Sequence, residues 1–142
     1  MKFGYRIAVL RNWYGGPAYR QLEMDNGITE SEASVVFFLG RRDGSLAQDI
    51  ADTIGRPKNS ISRAVHLLLA KKMVRRVAGK VDRRQKQLYL TDSGWVAYQK
   101  IVPMFLARES QLVSTLSGPE LAFLDAVLTK MVDHLPDWAR GY

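Results

Sequence analysis

Leu46-Ala47-Gln48-Asp49-Ile50-Ala51-Asp52-Thr53-Ile54-Gly55-Arg56-Pro57-Lys58-Asn59-Ser60-Ile61-Ser62-Arg63-Ala64-Val65 is the stretch that decides the fold. Ser45-Leu46-Ala47-Gln48 has capping-box spacing, and Leu46, Ile50 and Ile54 recur at helical intervals until Gly55, so a helix ends at that glycine. Pro57 suits the first turn of the next helix, where Ile61, Ala64, Val65, Leu68 and Lys72 share one face to about Lys72. The two helices are joined by a very short turn. Ala51 is small enough for a tight crossing, Gly55 four residues later supplies a permissive backbone, and Ile50, Ile54, Ile61 and Ala64 form a common core. That is the spacing of a helix-turn-helix, whose second helix is set at an angle suited to the major groove of DNA. Helix pairs with such spacing also occur in plain bundles, so the flanking sequence carries weight.

Downstream, Val74 to Val77 and Lys86 to Leu90 have β-type patterns separated by Ala78 to Gln85, with Gly79 at a turn position. This predicts a hairpin with a long basic tip. Thr91-Asp92 caps a long amphipathic helix bearing Trp95, Tyr98, Ile101, Val102, Phe105, Leu112 and Leu116, with a kink expected at Pro103. Ser117-Gly118-Pro119-Glu120 then restarts a last helix through Leu121, Leu124, Leu128 and Met131. Upstream, Thr29-Glu30-Ser31-Glu32 caps a short, largely buried helix through Ala33, Val35, Val36, Phe37, Phe38 and Leu39, with Gly40 as its stop. Phe3 to about Asp25 has helical spacing, and Gly15-Gly16-Pro17 predicts its division into two pieces.

At 142 residues, with 46% apolar and 25% charged residues, the chain has the length of one domain, 1–142. Its net charge of +7 is unevenly placed. Between Arg56 and Lys86 eleven Lys and Arg face one acid, Asp82, a net of +10; the remaining ten cations and thirteen acids net −3. Clustered cations of one sign imply a polyanion-binding surface, whereas a merely solvated face would mix signs. Cysteine is absent, which excludes disulfides, thiolate zinc sites, iron–sulfur clusters and thiol chemistry. No apolar run approaches the roughly 20 residues of a membrane span, and Met1 to Arg6 leads into no signal-peptide apolar segment. A cytoplasmic location is expected.

Enzyme readings find little support. The two histidines, His66 and His134, make no metalloprotease pair, no Gly-rich loop could cradle phosphate, and Asp49 with Asp52 on a helical face reads as solvation. No catalytic residue, metal or cofactor is expected. Two other classes remain as alternatives: a protein–protein interaction scaffold on the same fold, which the basic window disfavours, and a small hydrolase, which lacks a nucleophile constellation.

Leu46-Ala47-Gln48-Asp49-Ile50-Ala51, Asn59-Ser60-Ile61-Ser62-Arg63, Asp82-Arg83-Arg84 and Leu90-Thr91-Asp92-Ser93-Gly94 together resemble the MarR family of winged-helix transcriptional regulators. The resemblance is strong over about Ile28 to Gly94. It implies a mainly α fold with a small β-hairpin wing: a winged helix-turn-helix lobe over 28–94, with dimerisation helices in 1–27 and 95–142. It further implies a homodimer on a pseudo-palindromic operator, acting as a repressor and released by a small aromatic effector. The apolar residues of Phe3 to Leu22 and Leu112 to Leu135 suit an isologous interface.

With Ile61 turned inward, a helical wheel points Asn59, Arg63, His66 and Ala70 outward, with Ser62 and Arg56 at the borders. Asn59 can read an adenine edge and Arg63 a guanine, while Arg56, Lys58, Ser60 and Ser62 suit phosphates near the helix N-terminus. His66 reads as a bystander. Arg76 and Lys80 add phosphate-binding cations on the hairpin. Asp82, Arg83 and Arg84 match the family's wing motif, in which the acid braces the arginine two positions later for entry into the minor groove. Trp13, Tyr14, Tyr19, Trp95 and Tyr98 either line an effector cavity or belong to the core or dimer interface.

Overall fold

A computed structural model describes residues 2–135; Met1 and residues 136–142 of the expected dimerisation segments lie outside the described residues. The chain divides into two compact units, Met1–Ala107 and Arg108–Tyr142. In chain order the elements are α1 (Phe3–Asn26), α2 (Glu30–Arg41), β1 (Ser45–Leu46), α3 (Ala47–Ile54), α4 (Lys58–Ala70), β2 (Val74–Ala78), β3 (Lys86–Leu90), α5 (Asp92–Leu112) and α6 (Gly118–Asp133). Mainly α, with a small antiparallel sheet, this is a winged-helix architecture.

The core of the first unit forms where apolar stripes meet. Val35, Val36 and Leu39 of α2, Ile50 of α3, Ile61, Val65 and Leu68 of α4, Leu88 of β3 and Ile101 of α5 are fully buried in one cluster. Removing this much apolar surface from water is the main force holding helix-turn-helix, sheet and α5 together. Thr29 and Glu32 start α2 reciprocally: the Glu32 N–H donates to Thr29 Oγ1 (3.3 Å) and the Thr29 N–H to Glu32 Oε2 (2.9 Å).

Gly40 is not the end of α2. The helix runs on to Arg41, and Gly40 lies inside it under the ring of Tyr98, where a Cβ would fall 2.2 Å from two ring carbons. A close approach, and not a turn, explains the glycine. Likewise Gly15-Gly16-Pro17 does not divide α1, which is continuous with Pro17 inside it. The residue before a proline is normally driven out of the helical region by a clash with its own Cβ; Gly16 has none. Burial of Gly15, Ala18 and Leu22 along one face then favours the unbroken helix.

Ser45 and Leu46 open no capping box. They form β1, paired with β3 as Ser45↔Leu88 and Leu46↔Gln87, so the sheet has the order β1-β3-β2. The Ser45 hydroxyl donates to the Arg42 carbonyl (2.7 Å), and Asp49 Oδ2 accepts the Leu46 N–H (3.3 Å), capping α3 in its place. Helix α4 stops at Ala70 and not at Lys72, which takes a positive φ of 57°. The Lys72 carbonyl accepts from the hydroxyls of Thr91 (2.6 Å) and Ser93 (2.8 Å), locking the end of α4 to the start of α5. Helix α5 continues through Pro103 and ends at Leu112, short of Leu116. In the second unit, Glu120 Oε2 accepts from both the N–H (2.8 Å) and the hydroxyl (2.7 Å) of Ser117. Those bonds, the backbone one first, hold the Glu120 carboxyl below its ordinary pKa. Among the described residues no helix is long and apolar enough to cross a membrane.

Candidate nucleic-acid interface

The turn between α3 and α4 is built from backbone chemistry. Gly55 sits at φ 67°, its N–H closing α3 on the Ala51 carbonyl (3.0 Å), a conformation that costs any residue with a Cβ about 1 kcal/mol or more. Pro57 follows in an extended conformation, and its carbonyl receives the Ile61 N–H (3.2 Å). With Ile61, Ala64, Val65 and Leu68 buried, α4 turns Lys58, Asn59, Ser62, Arg63, His66 and Ala70 to solvent and leaves Ser60 half-buried. Asn59 Oδ1 accepts the Ser60 N–H (2.9 Å). Thr29 and Ser31 at the start of α2 join Asn59, Ser60, Arg63, Ala64 and Leu67 around a shallow polar groove of about 280 Å³ beside this face.

The hairpin pairs Val74↔Leu90, Arg76↔Leu88 and Ala78↔Lys86. Val74, Leu88 and Leu90 anchor its root while Arg76 and every residue from Lys80 to Lys86 are exposed. Arg75 and its cross-strand partner Tyr89 stack, guanidinium to ring centroid 4.8 Å. At the tip, Gly79 donates to the Gln85 carbonyl (2.8 Å), Gln85 to the Asp82 carbonyl (3.2 Å), and Lys86 Nζ to the Arg83 carbonyl (3.1 Å). Asp82 Oδ1 accepts the backbone N–H of Arg84 at 2.9 Å. The bond expected between Asp82 and the Arg84 side chain is instead made to the Arg84 backbone, so the carboxylate holds the turn from which Arg84 projects.

Two cations of the basic window are ion-paired with acids outside it. Arg56 is ion-paired with Glu30 and also reaches Ser31 Oγ (3.4 Å), and Lys71 pairs with Glu32 at 2.6 Å while donating to the Gly27 carbonyl. Sequence reading missed both glutamates as charge partners because they lie 26 and 39 residues from their cations.

A cleft of about 1100 Å³ opens in the first unit between α1, α2, α5 and the α3–α4 turn. Of the five expected aromatics, Tyr14 and Tyr19 line it, flanking Phe105 with ring centroids 5.8 and 5.0 Å away. Burial, and then the nearby Glu30 carboxylate, raise the Tyr19 pKa and keep its phenol protonated. Trp13 is 73% exposed and outside the cleft. Trp95 and Tyr98 also lie off it, packed edge-to-face at 5.6 Å, with Tyr98 against Phe37 at 6.2 Å. Their role is α5–α2 packing. The lining that the sequence did not disclose is Phe37, Phe38 and Phe105 with Arg11, Arg20, Arg41, Arg42 and Arg56 around the single carboxylate of Glu30.

The profile of the MarR family matches residues 26–85, from the end of α1 to the wing tip. This lobe is similar to the MarR family in sequence and is folded as a winged helix. The whole chain shares the fold of MarR-family transcriptional regulators. S. aureus MepR, solved with DNA, is 28% identical over 94% of this chain and 96% of its own, with a TM-score of 0.80. The regulator SlyA, 17% identical over the full length of both chains, superposes with a TM-score of 0.88. A MarR-family regulator from Listeria monocytogenes, solved with a 26mer DNA, reaches 0.89 at 15% identity over 96% of this chain and 91% of its own. No curated protein sequence matches the chain. Among the described residues no cluster of His, Asp and Glu could hold a metal ion.

Proposed function

We propose that this chain is a sequence-specific DNA-binding repressor that acts as a homodimer on a pseudo-palindromic operator. The observation that carries the reading is the set of exposed cations on α4 and on the wing, two elements of one winged-helix lobe. Lys58, Arg63, Arg76, Lys80, Arg83 and Arg84 are exposed there, and none of them is ion-paired with another described residue. MepR, the most similar in sequence of the structures compared above, is a DNA complex, which supports the same partner here. In this reading Asn59 and Arg63 meet base edges, Lys58, Ser60, Ser62, Arg76, Lys80 and Arg83 meet phosphates, and Arg84 enters the minor groove.

Dimerisation is supported by large apolar side chains that are exposed among the described residues. Helix α1 exposes Phe3 (70%), Tyr5, Ile7 and Leu10, and α6 exposes Phe123 (73%), Leu128 and Val132. Solvated helices do not carry such faces without a partner. The cleft, with aromatic walls and an arginine-rich rim, is where a small aromatic effector would enter to release DNA. Fluorescence anisotropy of a duplex enriched from a randomised library tests the function. Each phosphate neutralised adds about 0.9 to the log–log salt slope, so affinity should fall steeply with salt. A slope near zero would refute DNA binding.

A further inference from the structure

The recognition helix is held at both ends by neighbouring carboxylates of one other helix. Arg56 immediately precedes Pro57, the N-cap of α4, and pairs with Glu30; Lys71 immediately follows Ala70, the last residue of α4, and pairs with Glu32. Glu30 and Glu32 both lie in the first turn of α2, where their charge is favoured by the helix dipole, as the Lys71 cation is at the C-terminal end of α4. Glu32 is wholly buried and also holds the Thr29 N–H. Glu30 is partly exposed and shares its carboxylate with Arg11 of α1 at 2.7 Å.

We infer that Glu30 and Glu32 are positioning residues for DNA recognition, setting the axial position and tilt of α4, and that Arg56 acts through Glu30 and not by touching phosphate. The inference rests on the DNA-binding reading above. Its physical basis is that the underside of α4, Ile61, Ala64, Val65 and Leu68, is held by burial, which is non-directional and resists sliding along the helix axis weakly. Ion pairs with fixed donor geometry at the two ends supply the missing direction. Base readout by Arg63 needs that direction, because a bidentate contact fails when its helix shifts by about an ångström; non-specific phosphate attraction does not.

The test compares the enriched duplex with a shuffled duplex of equal length and composition, using full-length Glu30→Gln, Arg56→Gln and the double variant. Each single substitution should weaken binding to the enriched duplex by about fivefold, the upper range for a solvent-accessible ion pair. Binding to the shuffled duplex and the salt slope should not move, and the double variant should match the singles. A structural role alone would lower the unfolding midpoint without changing the ratio of the two affinities. Lys71→Gln leaves Glu32 buried and unpaired, so the Glu32→Gln/Lys71→Gln pair, which keeps a neutral contact, is the variant to test at that end. The inference is overturned if Arg56→Gln weakens both duplexes alike and lowers the slope by about 0.9 while Glu30→Gln tightens both, since Arg56 would then be a phosphate contact that Glu30 holds back. It is also overturned if no ratio changes. A wild-type chain that cannot tell the two duplexes apart refutes the DNA-binding reading itself.

Discussion

Replacing Asp82 at the wing tip sets two effects of opposite sign against each other. Asp82→Ala removes a negative charge from a surface facing phosphates. At roughly 10 Å in water that repulsion is about 0.4 kcal/mol, less once salt screens it. The same substitution removes the acceptor of the 2.9 Å bond from the Arg84 N–H. A side-chain cap on an exposed turn contributes about 1 kcal/mol, here to keeping the tip in the conformation that aims Arg84. The ordering effect is larger, so the net loss is about 0.6 kcal/mol, or about threefold per wing. For a two-fold dimer with both wings engaged this approaches tenfold. Asp82→Asn keeps an oxygen at the acceptor position and drops only the charge, so it should tighten binding by up to about twofold per wing. Anisotropy titrations at fixed ionic strength read both. If Asp82→Ala tightens binding as much as Asp82→Asn does, the carboxylate acts through charge alone and the turn needs no brace.

Arg63→Ala should cost about 1–3 kcal/mol on the enriched duplex and relax the preference at one position of each half-site, whereas Arg84→Ala should weaken binding with the major-groove preference intact; repeating the selection with each variant separates them. Gly40→Ala should destabilise the fold by about 1–3 kcal/mol, because its Cβ would overlap the Tyr98 ring. An unchanged urea midpoint would show that the ring moves aside freely. Because the Glu120 pKa is lowered in the folded chain, its contribution to the start of α6 is present above the ordinary glutamate pKa and is lost as pH falls through the lowered value. Circular dichroism on acidification should therefore show a helix loss in wild type that Glu120→Gln lacks.

The helix-turn-helix was legible because its determinants are close in sequence and chemically singular. Ala51 at the crossing, Gly55 in the turn and Ile61 with Ala64 beneath α4 fall three to thirteen residues apart, and each has one natural place. The capping box at Thr29 and the helix start at Ser117 were legible for the same reason. What escaped depends on contacts distant in sequence. A two-residue strand such as β1 has no periodicity, and only Leu88 of β3 gives Ser45 its role. Gly40 resembles a helix stop until Tyr98, 58 positions on, occupies the space above it. The continuity of α1 across Pro17 follows from tertiary burial of Gly15, Ala18 and Leu22 overriding local propensity. In the candidate site, the outward face of α4 followed from the wheel. The pairing of Arg56 and Lys71 with α2, and the assembly of the cleft from four separate segments, did not.

Hydroxyl-radical footprinting of the full chain on an enriched duplex tests the central claim most directly. The account predicts two protected half-sites with centres about 34 Å apart, one turn of the double helix, each flanked by a minor-groove protection that Arg84→Ala removes while leaving the half-site itself protected. Uniform cleavage along the duplex, or protection that Arg63→Ala and Arg84→Ala leave unaltered, would contradict recognition through α4 and the wing.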